Sequence, residues 1–114
     1  MKENIEIKIG ENIGNLLYKQ MRENKENISV SYDDDRILVV MPHALSDAEK
    51  YLMQNSKYPN TESLIHLKEK LLKDLRPSLE NIIFELTEVK VTNTHSSINV
   101  DTGERILIFS LDKN

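Results

Sequence analysis

The stretch INVDTGERILIFSL, residues 98–111, holds Asp101-Thr102-Gly103 and then an unbroken apolar run from Ile106 to Phe109. Two readings compete for it. Asp-Thr-Gly is the active-site triplet of aspartic proteases, some of which are dimers of chains about this short. It is also ordinary turn chemistry between two strands. A protease needs two such aspartates sharing one proton, because like charges that close cannot both ionise. Here Glu104 and Arg105 follow at once, and only eleven residues remain after Gly103. A cation beside the aspartate would hold it ionised and spoil the shared proton. The stretch therefore reads as a hairpin, with Asp101 hydrogen-bonding locally and Gly103 taking a positive φ. Arg105 to Leu111 becomes the returning strand. It is apolar on both faces, which places it inside a sheet and not at its edge.

Working outward, Arg36-Ile37-Leu38-Val39-Val40 echoes Arg105-Ile106-Leu107-Ile108-Phe109. A duplicated helix–hairpin unit would produce the echo; so would two central strands meeting the same demands. Ile28, Val30 and Tyr32 alternate with Ser29 and Ser31, the period of a half-buried strand, and Asp33-Asp34-Asp35 turns the chain into the strand from Arg36 to Met41. Val89 and Val91 begin a third strand that lapses into Thr92-Asn93-Thr94-His95-Ser96-Ser97 before Ile98. That slip predicts a bulge or bend near His95.

Helices fill the intervals. Ile9, Ile13, Leu16, Leu17 and Met21 predict an amphipathic helix over residues 7–22, weakened by Gly10 and Gly14 at about 1 kcal/mol each and ended by the polar run Glu23 to Asn27. Ser46-Asp47-Ala48-Glu49 is a capping box opening a short helix. Asn55 to Asn60, with Pro59, reads as a loop. From Leu64 to Leu86 a leucine-rich helical pattern returns, and Pro77 within it predicts a kink near Leu75-Arg76 or two abutting helices. The order is α-β-β-α-α-β-β in one domain spanning 1–114. It implies an α+β fold, a two-layer sandwich with a four-stranded, mainly antiparallel sheet and helices on one face. The other face is left open, and because the inner strands are apolar on both sides we expect a homodimer that buries it.

Composition narrows the function. Nineteen Asp and Glu against fifteen Lys and Arg give a net charge of −4, which argues against a broad nucleic-acid surface, as does the lack of Trp. The absence of Cys removes disulfides, thiolate metal sites and thiol catalysis, and it fits a reducing cytoplasm. The longest apolar run, Ile37 to Pro42, is far short of the roughly 20 residues of a membrane span. The first residues carry no secretory signal pattern. His43, His66 and His95 have no metal-motif spacing, and Asp33 to Asp35 lacks the glycine and later ligands of a calcium loop. No catalytic residues, no metal site and no cofactor are expected. The best candidate for a ligand or partner contact is the hydroxyl and imidazole group Thr94, His95 and Ser96, with Arg76 or Arg105 nearby.

Some segments are recognisable together. Arg76-Pro77-Ser78-Leu79-Glu80-Asn81-Ile82-Ile83, Val89-Lys90-Val91, His95-Ser96-Ser97-Ile98 and Thr102 to Leu111 resemble the MpsC-type domain. The strand pair Ile28 to Met41 and the following Leu45 to Lys50 resemble it too. Family members tend to turn after the first helix with Gly and Pro, where this chain has Asn24-Lys25-Glu26-Asn27. The family is named for a sodium-translocating, membrane-potential-generating system. The resemblance implies a small accessory or regulatory role beside ion or inorganic-carbon uptake, peripheral to a membrane transport complex. It supplies no catalytic residue, and it places a hairpin at Asp-Thr-Gly.

Overall fold

A computed structural model describes residues 2–55 and 61–112. Its elements are α1 (Lys2–Met21), β1 (Ser29–Tyr32), β2 (Arg36–Met41), α2 (Asp47–Gln54), α3 (Thr61–Thr87), β3 (Val91–Asn99) and β4 (Glu104–Leu111). The fold is α+β; the described residues form three helices and one antiparallel sheet in the order β1-β2-β4-β3. The two strands that are apolar on both sides, β2 and β4, occupy the centre as their sequences predict.

Register separates the two faces of that sheet. Ile37 lies opposite Phe109, Val39 opposite Leu107 and Met41 opposite Arg105, and all six side chains are buried. The five apolar ones form the core with Ile9, Ile13 and Leu17 of α1 and Leu72, Leu79 and Ile83 of α3. The alternate residues Leu38, Val40, Ile106 and Ile108 point the other way and are only half-buried. The helices therefore cover one face.

Three local features depart from the sequence-based expectations. Helix α1 begins at Lys2, not near residue 7. Its first turns are held by the Glu6 carboxylate, which accepts the Tyr32 backbone N–H at 2.8 Å, and by Ile5 against the core. Helix α3 is one element with Pro77 inside it, not two. Pro77 and Lys73 both sit on the exposed side, where water can satisfy the Lys73 carbonyl that the proline leaves without its donor. The register shift in β3 falls between Val91 and Asn93, and His95 is regularly opposite Ile108. The polar run is polar because β3 is an edge strand. It does not mark a bend at the histidine.

The helix glycines have a purpose beyond permissiveness. A Cβ at Gly14 would lie 2.7 Å from Ile28 Cδ1 and 3.1 Å from Lys25 Cβ, so its absence lets the segment entering β1 press on the helix. The expected loop at residues 55–60 lies outside the described residues after Asn55, which forms the C-cap of α2.

Candidate functional site

The hairpin comes first, since it carries the decisive stretch. Gly103 adopts φ +80° and its N–H bonds to the Asn99 carbonyl at 2.8 Å. The local side-chain acceptor is Asn99, whose Oδ1 takes the N–H of Asp101 at 2.9 Å and of Thr102 at 3.3 Å. Asp101 itself is exposed. The Gly103 carbonyl accepts the Leu45 N–H at 3.0 Å, so the turn also fastens the segment leading into α2.

Beyond the turn, strand parity drives Arg105 inward with Leu107, Phe109 and Leu111. A guanidinium in that position must be paired or the fold loses several kcal/mol. Glu23 pairs it. The Arg105 Nε and Nη2 donate to the two Glu23 carboxylate oxygens at 2.8 and 2.7 Å, and both side chains are fully buried. Arg105 Nη1 donates to Glu69 Oε1 at 2.6 Å and to Ser96 Oγ at 2.7 Å. Lys68 lies 3.8 Å from Glu23 and 3.2 Å from Glu49. Glu49 in turn closes the capping box with Ser46, accepting the Ser46 N–H at 2.9 Å. The network thus ties the end of α1, the start of α2, α3, β3 and β4 to one point.

Local chain geometry delivers Glu23 to this point. Arg22 takes a left-handed φ of 57° and donates to the Tyr18 carbonyl, which stops α1 and turns the next side chain inward. Electrostatics follow from the pairing. Burial works against the charge on Arg105, but the Glu23 hydrogen bonds and the Glu23 and Glu69 charges outweigh it and raise its pKa further. Burial likewise pushes the Glu49 carboxyl up, while the Ser46 N–H and Lys68 outweigh it and hold the group below the ordinary carboxylate range. Among the described residues no buried side-chain nitrogen or oxygen lacks a partner. The network has the character of a structural clasp.

A second polar cluster lies along α3 and β3. Glu80 accepts from Thr94 Oγ1 at 2.5 Å and from Arg76 Nε at 2.7 Å, and Arg76 Nη2 reaches Asn93 at 3.4 Å. Burial opposes the Glu80 charge, and Thr94 and Arg76 together still hold its pKa low. Between the two clusters is a cavity of about 260 Å³ lined by Glu69, Leu72, Lys73, Arg76, Thr94 and Ser96. The five residues singled out from the sequence are therefore divided. Thr94 and Arg76 meet through Glu80, Ser96 meets Arg105 directly, and His95 projects from the opposite face beside Ile108. A two-residue period cannot put His95 on the same side as Thr94 and Ser96.

Sequence reasoning missed Glu23, Lys68, Glu69 and Glu80. The signal for Glu23 was available indirectly: Arg105 shares parity with the buried side of β4 and so demanded a buried carboxylate. Nothing local marked which of nineteen acids would supply it. Among the described residues no group of three or more His, Cys, Asp or Glu could hold a metal ion, and no helix is long and apolar enough to cross a membrane.

Residues 1–113 match the family model described as Na+-translocating membrane potential-generating system (MpsC). No curated protein and no solved structure matches the chain.

Proposed function

This chain belongs to the MpsC family, and we propose that it is a small, cytoplasmic, non-catalytic accessory subunit of a sodium-dependent, membrane-potential-generating system, acting at the membrane periphery. It works as a homodimer that docks on a membrane partner. The observation that carries the reading is the open face of the sheet. Leu38, Val40, Ile106 and Ile108 form an apolar block on the two central strands, flanked by Ser29, Ser31, His95 and Ser97. The occupant of that face is a second copy. Within the strands the face carries one cation and one anion, Arg36 and Glu104, at opposite ends of β2 and β4. A two-fold axis between stacked sheets, running across the strands, brings Arg36 of each copy toward Glu104 of the other and stacks the apolar blocks. Among the described residues no helix is long and apolar enough to cross a membrane, so in this reading the chain acts by contact with a partner that spans one.

Everted membrane vesicles provide the test. Vesicles from cells lacking the chain should build less sodium-dependent potential, read with a potential-sensitive dye, and added purified protein should restore it. An unchanged potential in those vesicles sinks the reading.

A second reading, a small-anion module, draws on the cavity beside Lys73, Arg76, Thr94 and Ser96. It requires phosphate or a small carboxylate to raise the melting temperature in a manner abolished by Lys73→Glu.

A further inference from the structure

The two edges of the sheet are treated differently. At β1 the outer edge is short and covered: α1 lies against it, Glu6 occupies the Tyr32 N–H, and Lys2 stacks over the Tyr32 ring at 5.2 Å. At β3 the edge is nine residues long and, among the described residues, no strand pairs with it. Its sequence, VTNTHSSIN, contains no Lys, Glu, Asp, Arg or Pro. Those are the residues that natural edges use to repel another strand.

The ladder identifies the free groups. The Leu111 N–H bonds toward the Asp35 carbonyl on the β2 side, so Ser110, Ile108 and Ile106 turn their backbone groups to Asn93, His95 and Ser97 of β3. Thr94, Ser96 and Ile98 are left with N–H and C=O directed outward. Their side chains lie on the helix-facing side, and two of them, Thr94 and Ser96, line the cavity of about 260 Å³. At its rim, Glu69 and Glu80 are satisfied by Arg105, Thr94 and Arg76. Among the described residues Lys73 has no ion pair, and Arg76 keeps part of its guanidinium free. One turn beyond Glu80 on α3, Phe84 is 48% exposed. An unpaired edge and a side-chain pocket holding the unpaired Lys73 ammonium therefore lie together, with Phe84 one turn further along the α3 stripe that carries Arg76 and Glu80.

We propose that β3 is the docking edge for a partner protein, which adds an extended acidic segment as a fifth, antiparallel strand. Main-chain bonds to Thr94, Ser96 and Ile98 provide affinity, as in other strand-addition complexes, and a carboxylate seated at Lys73 and Arg76 provides specificity. Phe84 covers an apolar side chain of the same segment. This deepens the partner-docking part of the proposed function and rests on it, while using a surface separate from the dimer face.

The probe is a fluorescein-labelled peptide of about eight residues, long enough to span the edge, alternating threonine and valine around one central glutamate. A second peptide has lysine in place of the glutamate. Fluorescence anisotropy should show the acidic peptide binding at least about tenfold tighter, the range for one charge-assisted hydrogen bond. Lys73→Glu should abolish that preference and Lys73→Arg retain it. Amide exchange at Thr94, Ser96 and Ile98 should slow on binding. The monomeric variant Leu38→Asp/Ile108→Asp should bind the peptide as well as the parent does. Three results overturn the proposal: equal affinity for both peptides, protection of those amides by a second copy alone, or equal competition by free acetate. If the peptide fails to bind while purified protein still restores vesicle potential, the docking edge is wrong and the proposed function stands.

Discussion

Arg105→Met should be the most damaging single substitution on the sheet, and its cost follows from the pairing. The variant removes four hydrogen bonds, two to Glu23 and one each to Glu69 and Ser96. Glu23 is left fully buried with, among the described residues, only Lys68 as a cation in reach, at 3.8 Å. Removing one partner from a buried ion pair typically costs about 3–5 kcal/mol. With an unfolding entropy of about 2.1 cal/mol/K per residue, a chain of this length loses about 4 °C for each kcal/mol, so the melting temperature should fall by about 13–21 °C. Glu23→Met should cost a similar amount. The double variant Glu23→Met/Arg105→Met should cost much less than the sum, because neither charge is then stranded. Urea unfolding of all four proteins, followed by circular dichroism, gives the cycle. A loss below about 1 kcal/mol for Arg105→Met, or strict additivity, would refute the buried clasp.

Three further outcomes follow from local geometry. Gly14→Ala should destabilise despite alanine's helix-propensity advantage of about 1 kcal/mol, since its Cβ would meet Ile28 and Lys25 at 2.7 and 3.1 Å; a rise in urea midpoint would contradict the close approach. Glu88 ends α3 at a left-handed φ of 60° with its N–H on the Phe84 carbonyl, so Glu88→Gly should raise the melting temperature by about 4 °C, the equivalent of roughly 1 kcal/mol of relieved strain. Glu49 and Glu80 have depressed folded-state pKa values. Their contribution is therefore present above the unfolded glutamate value of about 4.3 and is lost as pH falls through the lower folded values. Glu49→Gln should cost a constant amount above about pH 5 and progressively less below pH 4, as read from denaturation curves across that range. A penalty that grows on acidification would reverse the sign.

Much of the architecture was legible because it rests on periodicity. Strand alternation located β1, β2 and β4 to within a residue or so. The two-sided apolar character of β2 and β4 placed both at the centre of the sheet. The capping box at Ser46 was equally plain, being a contact between near neighbours. What escaped was long-range or edge-dependent. In the sequence the polar letters of β3 read as a bulge or bend near His95, whereas the shift lies between Val91 and Asn93 and an edge strand with inward hydroxyls held by Glu69, Glu80 and Arg105 explains the polarity. Of the kink or the two abutting helices that Pro77 suggests, the second is excluded; the proline's exposed setting, which lets the helix run on through it, is not visible in the chain. The Arg36–Arg105 echo hides a difference in kind: Arg36 is exposed on the open face and Arg105 is buried on the other. Glu23 and Arg105 are 82 residues apart, and no local pattern joins them.

The open sheet face is the centre of the account, and sedimentation equilibrium tests it most directly. At about 100 μM, far above a micromolar dissociation constant, the parent protein should run at twice the 13.2 kDa of one chain, and Leu38→Asp/Ile108→Asp at the mass of a single chain. A parent that stays at 13.2 kDa, or a double variant that remains dimeric, would contradict it.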